Sequence, residues 1–199
     1  MKSVTERVYL TDFILACLAY CLFVGSDSIV KYLGSDYSIV QIIFVNSWFA
    51  LIPIVLYTQT LNGWRKLKKA NFTVHFFRAL TMALALFFGY TGFYRLPMVT
   101  MYSIVFLIPL MITIGSVFFL GEVVRWKRFT AILIGFIGAI ISINPFGTEY
   151  DNYIFLALFC PIFASASYLI VRKYGFKENL FSFLIYGKIL MLVLTGVVA

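Results

Sequence analysis

Seven apolar stretches, each about long enough to cross a bilayer, fill nearly the whole chain. They lie at about Leu10–Tyr32, Ser38–Tyr57, Phe72–Tyr94, Met98–Leu120, Phe129–Phe146, Tyr153–Val171 and Leu180–Ala199. A helical span needs ~20 mostly apolar residues, each adding 1.5 Å. Hydrocarbon offers no water to the backbone, so only helices or a closed barrel satisfy it there. These stretches are continuously apolar and lack the alternation of barrel strands, which makes them helices. The expected class is an all-α polytopic membrane protein.

Composition agrees. The chain is 62% hydrophobic and 12% charged, against ~45–50% and ~25% in soluble domains, so a soluble globular fold is excluded. The net charge of +8 does not point to nucleic acid, because the basic residues flank apolar spans, where they set orientation. Cys17, Cys21 and Cys160 fall inside spans, without metal or disulfide spacing, and read as small apolar fillers. The first stretch is too long for a cleavable signal and is expected to remain as a span.

The loop charges alternate. Lys2 and Arg7, then Arg65, Lys66, Lys68 and Lys69, then Arg125, Lys127 and Arg128, then Arg172, Lys173 and Lys177 fall on one side. The other side holds Lys31 and Arg95 and an acidic loop with Glu149 and Asp151. The positive-inside rule places the N-terminus in the cytoplasm and residue 199 at the outer face. Tyr32, Trp48, Tyr57, Trp64, Trp126 and Tyr153 stand at span ends as an interfacial belt. Ala131, Gly135 and Ala139, with Gly138 and Ser142 beside them, predict close helix packing by the fifth span. Pro53, Pro109 and Pro161 predict kinks within spans.

The chain also matches itself. A shift of 141 residues lays Leu15, Ala16, Ser26, Ile29, Val30 and Gly34 on Leu156, Ala157, Ser167, Ile170, Val171 and Gly175, and Lys31 on Arg172. Five spans separate the copies, so the second enters the membrane upside down. Inverted repeats are a transporter architecture, with the substrate near the midplane at the repeat interface. The expected organisation is two inverted five-helix repeats, the first over residues 10–147. Residues 152–199 are then the first two helices of an incomplete second repeat. Seven transmembrane helices of an expected ten are present, as in a fragment or a truncated chain.

The run Phe118-Phe119-Leu120-Gly121-Glu122, the basic turn after it, and Ile134-Gly135-Phe136-Ile137-Gly138 resemble the EamA family of the drug/metabolite transporter superfamily. Leu107-Ile108-Pro109-Leu110 looks like that family's fourth helix. His75-Phe-Phe-Arg78-Ala79-Leu80, Asp27 and Lys31-Tyr-Leu-Gly34 are similar to its branch of bacterial S-adenosylmethionine-type carriers. The resemblance implies a ten-helix secondary carrier of the bacterial inner membrane that moves small metabolites. Many members carry an Arg in the second helix, where this chain offers Gln41 and Asn46.

Ionisable groups within spans mark functional sites. Asp27 reads either as an i,i+4 partner of Lys31 or as a cation- or proton-coupling carboxylate. Arg78 either snorkels to phosphates or binds an anionic substrate group through its planar fork. His75 fits the wet interface. Asn46 and Ser47 fall on Gly187 and Lys188 under the repeat shift, and Lys188 lies ~12 Å into its span, a poor place to snorkel from. Glu122 suits the start of the fifth helix. Among the aromatics Tyr94, Tyr168, Tyr90 and Tyr102, the last two join the candidates for stacking on substrate. The candidate substrate-binding set is therefore Asp27, Asn46, Arg78, Lys188, Tyr90 and Tyr102. No catalytic residue, metal ligand or cofactor is expected: the chain has one His, no His-Glu-x-x-His or Gly-x-Ser-x-Gly, and no phosphate loop. The expected function is a secondary transporter working by alternating access, not an enzyme. The alternatives are a non-transporting membrane assembly partner and a passive pore. The expected partners are a small-molecule metabolite, the lipid bilayer and a second copy in a homodimer, with no nucleic acid.

Overall fold

The computed structural model describes residues 2–60, 71–123, 125–143, 152–175 and 180–197. Trp64, the loop bases Arg65, Lys66, Lys68, Lys69 and Lys177, and the acids Glu149 and Asp151 lie outside the described residues. Nine helices occur among those described: α1 (Lys2–Leu33), α2 (Ile39–Thr60), α3 (Phe72–Arg95), α4 (Met98–Val105), α5 (Ile108–Leu120), α6 (Trp126–Ile143), α7 (Tyr153–Ala157), α8 (Phe159–Tyr174) and α9 (Leu180–Gly196).

Among the described residues, five segments are long and apolar enough to cross a bilayer: Thr11–Leu33, Ile39–Thr60, Phe72–Arg95, Met98–Leu120 and Tyr153–Tyr174. The fifth and seventh expected spans are represented by shorter apolar helices, Phe129–Ile141 and Ser182–Gly196. The rest of those two stretches, beyond residues 143 and 197, lies outside the described residues.

Local chemistry sets the helix ends. Ser38 and Gln41 form a reciprocal capping box, each backbone N–H donating 3.2 Å to the other's side chain, and α2 starts there. Asn71 caps α3 by accepting the Thr73 N–H at 3.2 Å. Gly121 ends α5 in the left-handed conformation, φ 68°, which glycine adopts without a Cβ penalty. The prolines divide. α2 runs through Pro53 unbroken. Pro109 follows the break at Phe106–Leu107, and Pro161 follows the break at Leu158. Each removes the N–H that would have bonded the carbonyl four residues earlier, at Val105 and Ala157.

α3 is the hub. It packs along α8 and α9 and also against α1, α2 and α7, while α5 lies on α8, α2 on α9 and α4 on α6. One buried cluster, Phe93, Leu96, Met101, Ile104, Ala157 and Cys160, joins α3, α4, α7 and α8. Another, Val30, Ile42, Ile43, Tyr90 and Met191, joins α1, α2, α3 and α9. Close approach falls at Gly92, where an added Cβ would lie 2.5 Å from Met101 Sδ. The small-residue face expected on the fifth span does not serve this purpose. Gly135 and Gly138 have no neighbour within 4 Å of an added Cβ, and of Ala131, Gly135 and Ala139 only Ala139 is buried. Phe13, Tyr20, Phe23 and Phe118 face outward, as lipid-facing side chains do. Cys17 and Cys21 are exposed on α1 rather than filling a core.

Candidate functional site

Two polar clusters lie on α3 and its neighbours. In the first, Tyr102 of α4 donates its hydroxyl to Asp27 Oδ2 of α1 at 3.0 Å. Tyr90 of α3 and Cys160 of α8 lie within electrostatic reach of the same carboxylate. Phe93 closes one side, its ring 5.1 Å from that of Tyr102 in an edge arrangement. Lys31 does not form the expected i,i+4 pair with Asp27. Its Nζ donates to the carbonyls of Leu96 at 2.7 Å and Phe93 at 3.4 Å. These carbonyls end α3 without intrahelical partners and carry the negative end of its dipole, so they attract the cation. Gly34 reinforces the contact: an added Cβ would meet the Tyr94 ring at 2.6 Å.

The second cluster surrounds Arg78. The side chain turns into the bundle instead of snorkelling: Nη1 donates to the Phe183 carbonyl of α9, and the guanidinium lies 5.8 Å from the Phe183 ring. Ser167 of α8 donates its hydroxyl to the Arg78 carbonyl at 3.3 Å. Gly187 makes room, since a Cβ there would lie 2.6 Å from Arg78 Nη1. Lys188, the next residue, is half-buried and feels the Arg78 charge. Among the described residues no carboxylate pairs with either cation. Arg78 Nε, Ser182 Oγ and Ser47 Oγ are buried without a hydrogen-bond partner among the described residues. His75, expected at the wet interface, is 2% exposed and packs on the rings of Phe183 and Tyr186 at 4.6 and 5.2 Å. α2 lies along α9, with Ile43 and Met191 in one cluster. Half-buried Asn46 lies three residues beyond Ile43 on α2, and Phe44 of the same helix lies against Gly196 of α9.

The structure thus unites Asp27 with Tyr90 and Tyr102, and sets Arg78 against Gly187, next to Lys188, while Asn46 is half-buried on α2, which packs on α9. It does not unite the two sets. Tyr90 and Arg78 are twelve residues apart on α3, or ~18 Å in rise and about a third of a turn around the axis. Gly187, Ser182, Ser167 and the Phe183 carbonyl escaped sequence reasoning. Gly187 and Ser167 left a signal there, as the repeat mates of Asn46 and Ser26. Glu122 also differs from expectation: it precedes α6 and bonds Arg172 at 2.8 Å, linking the ends of α5 and α8.

A profile of the EamA-like transporter family matches residues 11–144. The chain belongs to this family. It is 30% identical over 200 residues to the S-adenosylmethionine uptake transporters of Rickettsia felis and Rickettsia conorii, covering 97% of this chain and 65% of each relative. To the riboflavin transporter of Vibrio cholerae it is 24% identical over 172 residues, 85% of this chain and 57% of that protein. The chain therefore spans just under two thirds of the length of the curated relatives it matches. No solved structure matches it. With five segments among the described residues long and apolar enough to cross a bilayer and bacterial transporters as relatives, this EamA-family chain is a multi-pass membrane protein.

Proposed function

We propose that this EamA-family chain carries the substrate path of a secondary transporter for small metabolites in a bacterial inner membrane, with its N-terminus in the cytoplasm. The observation that carries this reading is the pair of cations inside the bundle. Arg78 lies against Gly187, the residue before Lys188, and neither cation has a carboxylate partner among the described residues. Arg78 Nε and the hydroxyls of Ser182 on α9 and Ser47 on α2 are buried without hydrogen bonds there. Unpaired charge and unbonded polar groups away from water are costly, so the cluster is built for an anionic group that arrives with the substrate. A carboxylate suits it, because it accepts from the arginine fork and from the ammonium together.

S-adenosylmethionine is the first metabolite to test, since relatives are named as its uptake transporters and it bears an amino-acid carboxylate. Asp27, held by Tyr102, serves as the cation- or proton-coupling station. It is ~18 Å from Arg78 along α3, too far for one amino-acid-sized group to touch both at once. Alternating access is read as two inverted repeats rocking about a site at the repeat interface. The helix ends support this: α1 and α8 end at Leu33 and Tyr174, α2 and α9 begin at Ile39 and Leu180, and both pairs are 141 residues apart.

The test is uptake of radiolabelled S-adenosylmethionine by bacterial cells expressing the chain. Lys188→Met and Arg78→Met are expected to cut accumulation at least about tenfold, the cost of a lost charged hydrogen bond, with membrane insertion unchanged. Uptake equal to wild type in both variants sinks the reading. Stimulation of uptake by unlabelled substrate preloaded inside separates a carrier from a pore.

A further inference from the structure

A groove between α5 and α8 runs the depth of about one leaflet. Its volume is about 720 Å³, within the ~300–1,000 Å³ of sites that enclose a drug-sized ligand. Met111, Ile114 and Phe118 line it from α5, and Ile162, Ala166 and Ile170 from α8. From Met111 to Leu120 the lining of α5 spans nine helical steps, or ~14 Å of rise, close to half of the ~30 Å hydrocarbon core. Ser165 is a polar residue in the wall, and its hydroxyl already donates to the Ile162 carbonyl at 2.9 Å. The floor is closed where Gly115 meets Leu169, which an added Cβ would strike.

Charge sits at one end. Lys173 and Tyr174 stand at the mouth, with the ammonium 5.9 Å from the Tyr174 ring centre. The neighbouring Arg172 is neutralised by Glu122 at 2.8 Å, whereas among the described residues no carboxylate pairs with Lys173. Arg125 and Lys127, exposed beyond the end of α5, add positive charge on the same side of the chain.

We propose that this groove binds an anionic phospholipid of the leaflet next to the basic loops, with an acyl chain along the α5–α8 wall and the phosphate on Lys173. The wall gives a charged metabolite nothing to bond, and burying such a group there is unfavourable. An acyl chain needs no partner and fills the slot over its whole length. The phosphate is a counter-ion for Lys173, which has no carboxylate partner among the described residues, and basic pockets between membrane helices attract such headgroups. Tyr174 takes the interfacial place usual for tyrosine. The inference does not depend on the transport reading.

The test is native mass spectrometry of the purified 199-residue chain given equal amounts of phosphatidylglycerol and phosphatidylcholine. Wild type is expected to retain phosphatidylglycerol about fivefold over phosphatidylcholine, the gain from one lysine at an anionic leaflet. Lys173→Gln, a surface change that leaves the fold alone, brings the ratio to about one. Ala166→Phe fills the slot with the charge intact and lowers retention of both lipids. A wild-type ratio near one, or a Lys173→Gln ratio equal to wild type, overturns the proposal. So does a dimer, detected by cross-linking across the groove, that excludes both lipids. Displacement of the lipid by inorganic phosphate alone also overturns it, because the acyl chain is then irrelevant.

Discussion

At the scale of single residues, contact geometry decides what charge alone leaves open. Gly187 leaves room for Arg78 Nη1, and a methyl there would come within 2.6 Å of it. The obstructed atom ends a flexible side chain, so Gly187→Ala is expected to displace the guanidinium and leave the helix in place. Uptake of S-adenosylmethionine should fall about tenfold, while the thermal midpoint moves by less than the ~1–3 kcal/mol of a rigid overpacking change. Full uptake in this variant would detach Arg78 from the substrate. Asp27→Asn, which keeps the shape and removes the charge, is expected to abolish uptake with surface expression intact, and unchanged uptake ends the coupling role. The sequence exposed Asp27, Arg78 and Lys188 because charge in a span is conspicuous. It paired Asp27 with Lys31 because helical spacing is the only geometry a sequence displays. The carbonyls of Phe93 and Leu96, which actually hold Lys31, are backbone atoms that leave no mark on residue identity.

At the scale of helices, glycine patterns divide into those that pack and those that do not. Sequence spacing marked the fifth span as the closely packed one. Yet Gly135 and Gly138 of α6 stand in open space, and α3 meets its neighbours at Gly92, between Met101 Sδ and the Ala157 Cβ. Gly92→Ala is therefore expected to cost ~1–3 kcal/mol by overpacking, since Met101 is fully buried and has nowhere to move. Gly135→Ala should be neutral or stabilise by up to ~1 kcal/mol through helix propensity. Thermal unfolding of the two variants in one detergent checks both, and the reverse order would mean that α6 packs where it now stands open. The spacing misled because small residues permit close approach without requiring it. Which helix occupies the space is settled by tertiary arrangement. The breaks at Phe106–Leu107 and Leu158 were half legible. Proline announces a lost N–H, but Pro53 has the same chemistry and leaves α2 continuous.

At the scale of the molecule, hydropathy and loop charge made the helical class and the order of spans readable, because the bilayer constrains both without reference to packing. The hub role of α3 was not readable, since an apolar span looks alike whether it faces lipid or six other helices. Orientation is the whole-molecule property on which the functional reading leans most. Twelve loop bases on one side against Lys31 and Arg95 on the other are the ground for the proposed cytoplasmic N-terminus. In that proposed orientation Asp27 lies toward the outer face, Arg78 toward the inner face and the Lys173 groove in the inner leaflet. Single cysteines test it in a background where Cys17, Cys21 and Cys160 are replaced by alanine. Ser35, in the turn after α1, and Lys127, in the first turn of α6, are both exposed and fall on opposite sides by the order of spans. A membrane-impermeant maleimide should label Ser35→Cys in intact cells and reach Lys127→Cys only after permeabilisation. The opposite labelling would reverse both charged stations and move the groove to the outer leaflet, so substrate would meet Arg78 before Asp27 on entering the cell. Because Arg78 and Asp27 lie at different depths, this one measurement fixes which of them an incoming substrate encounters first.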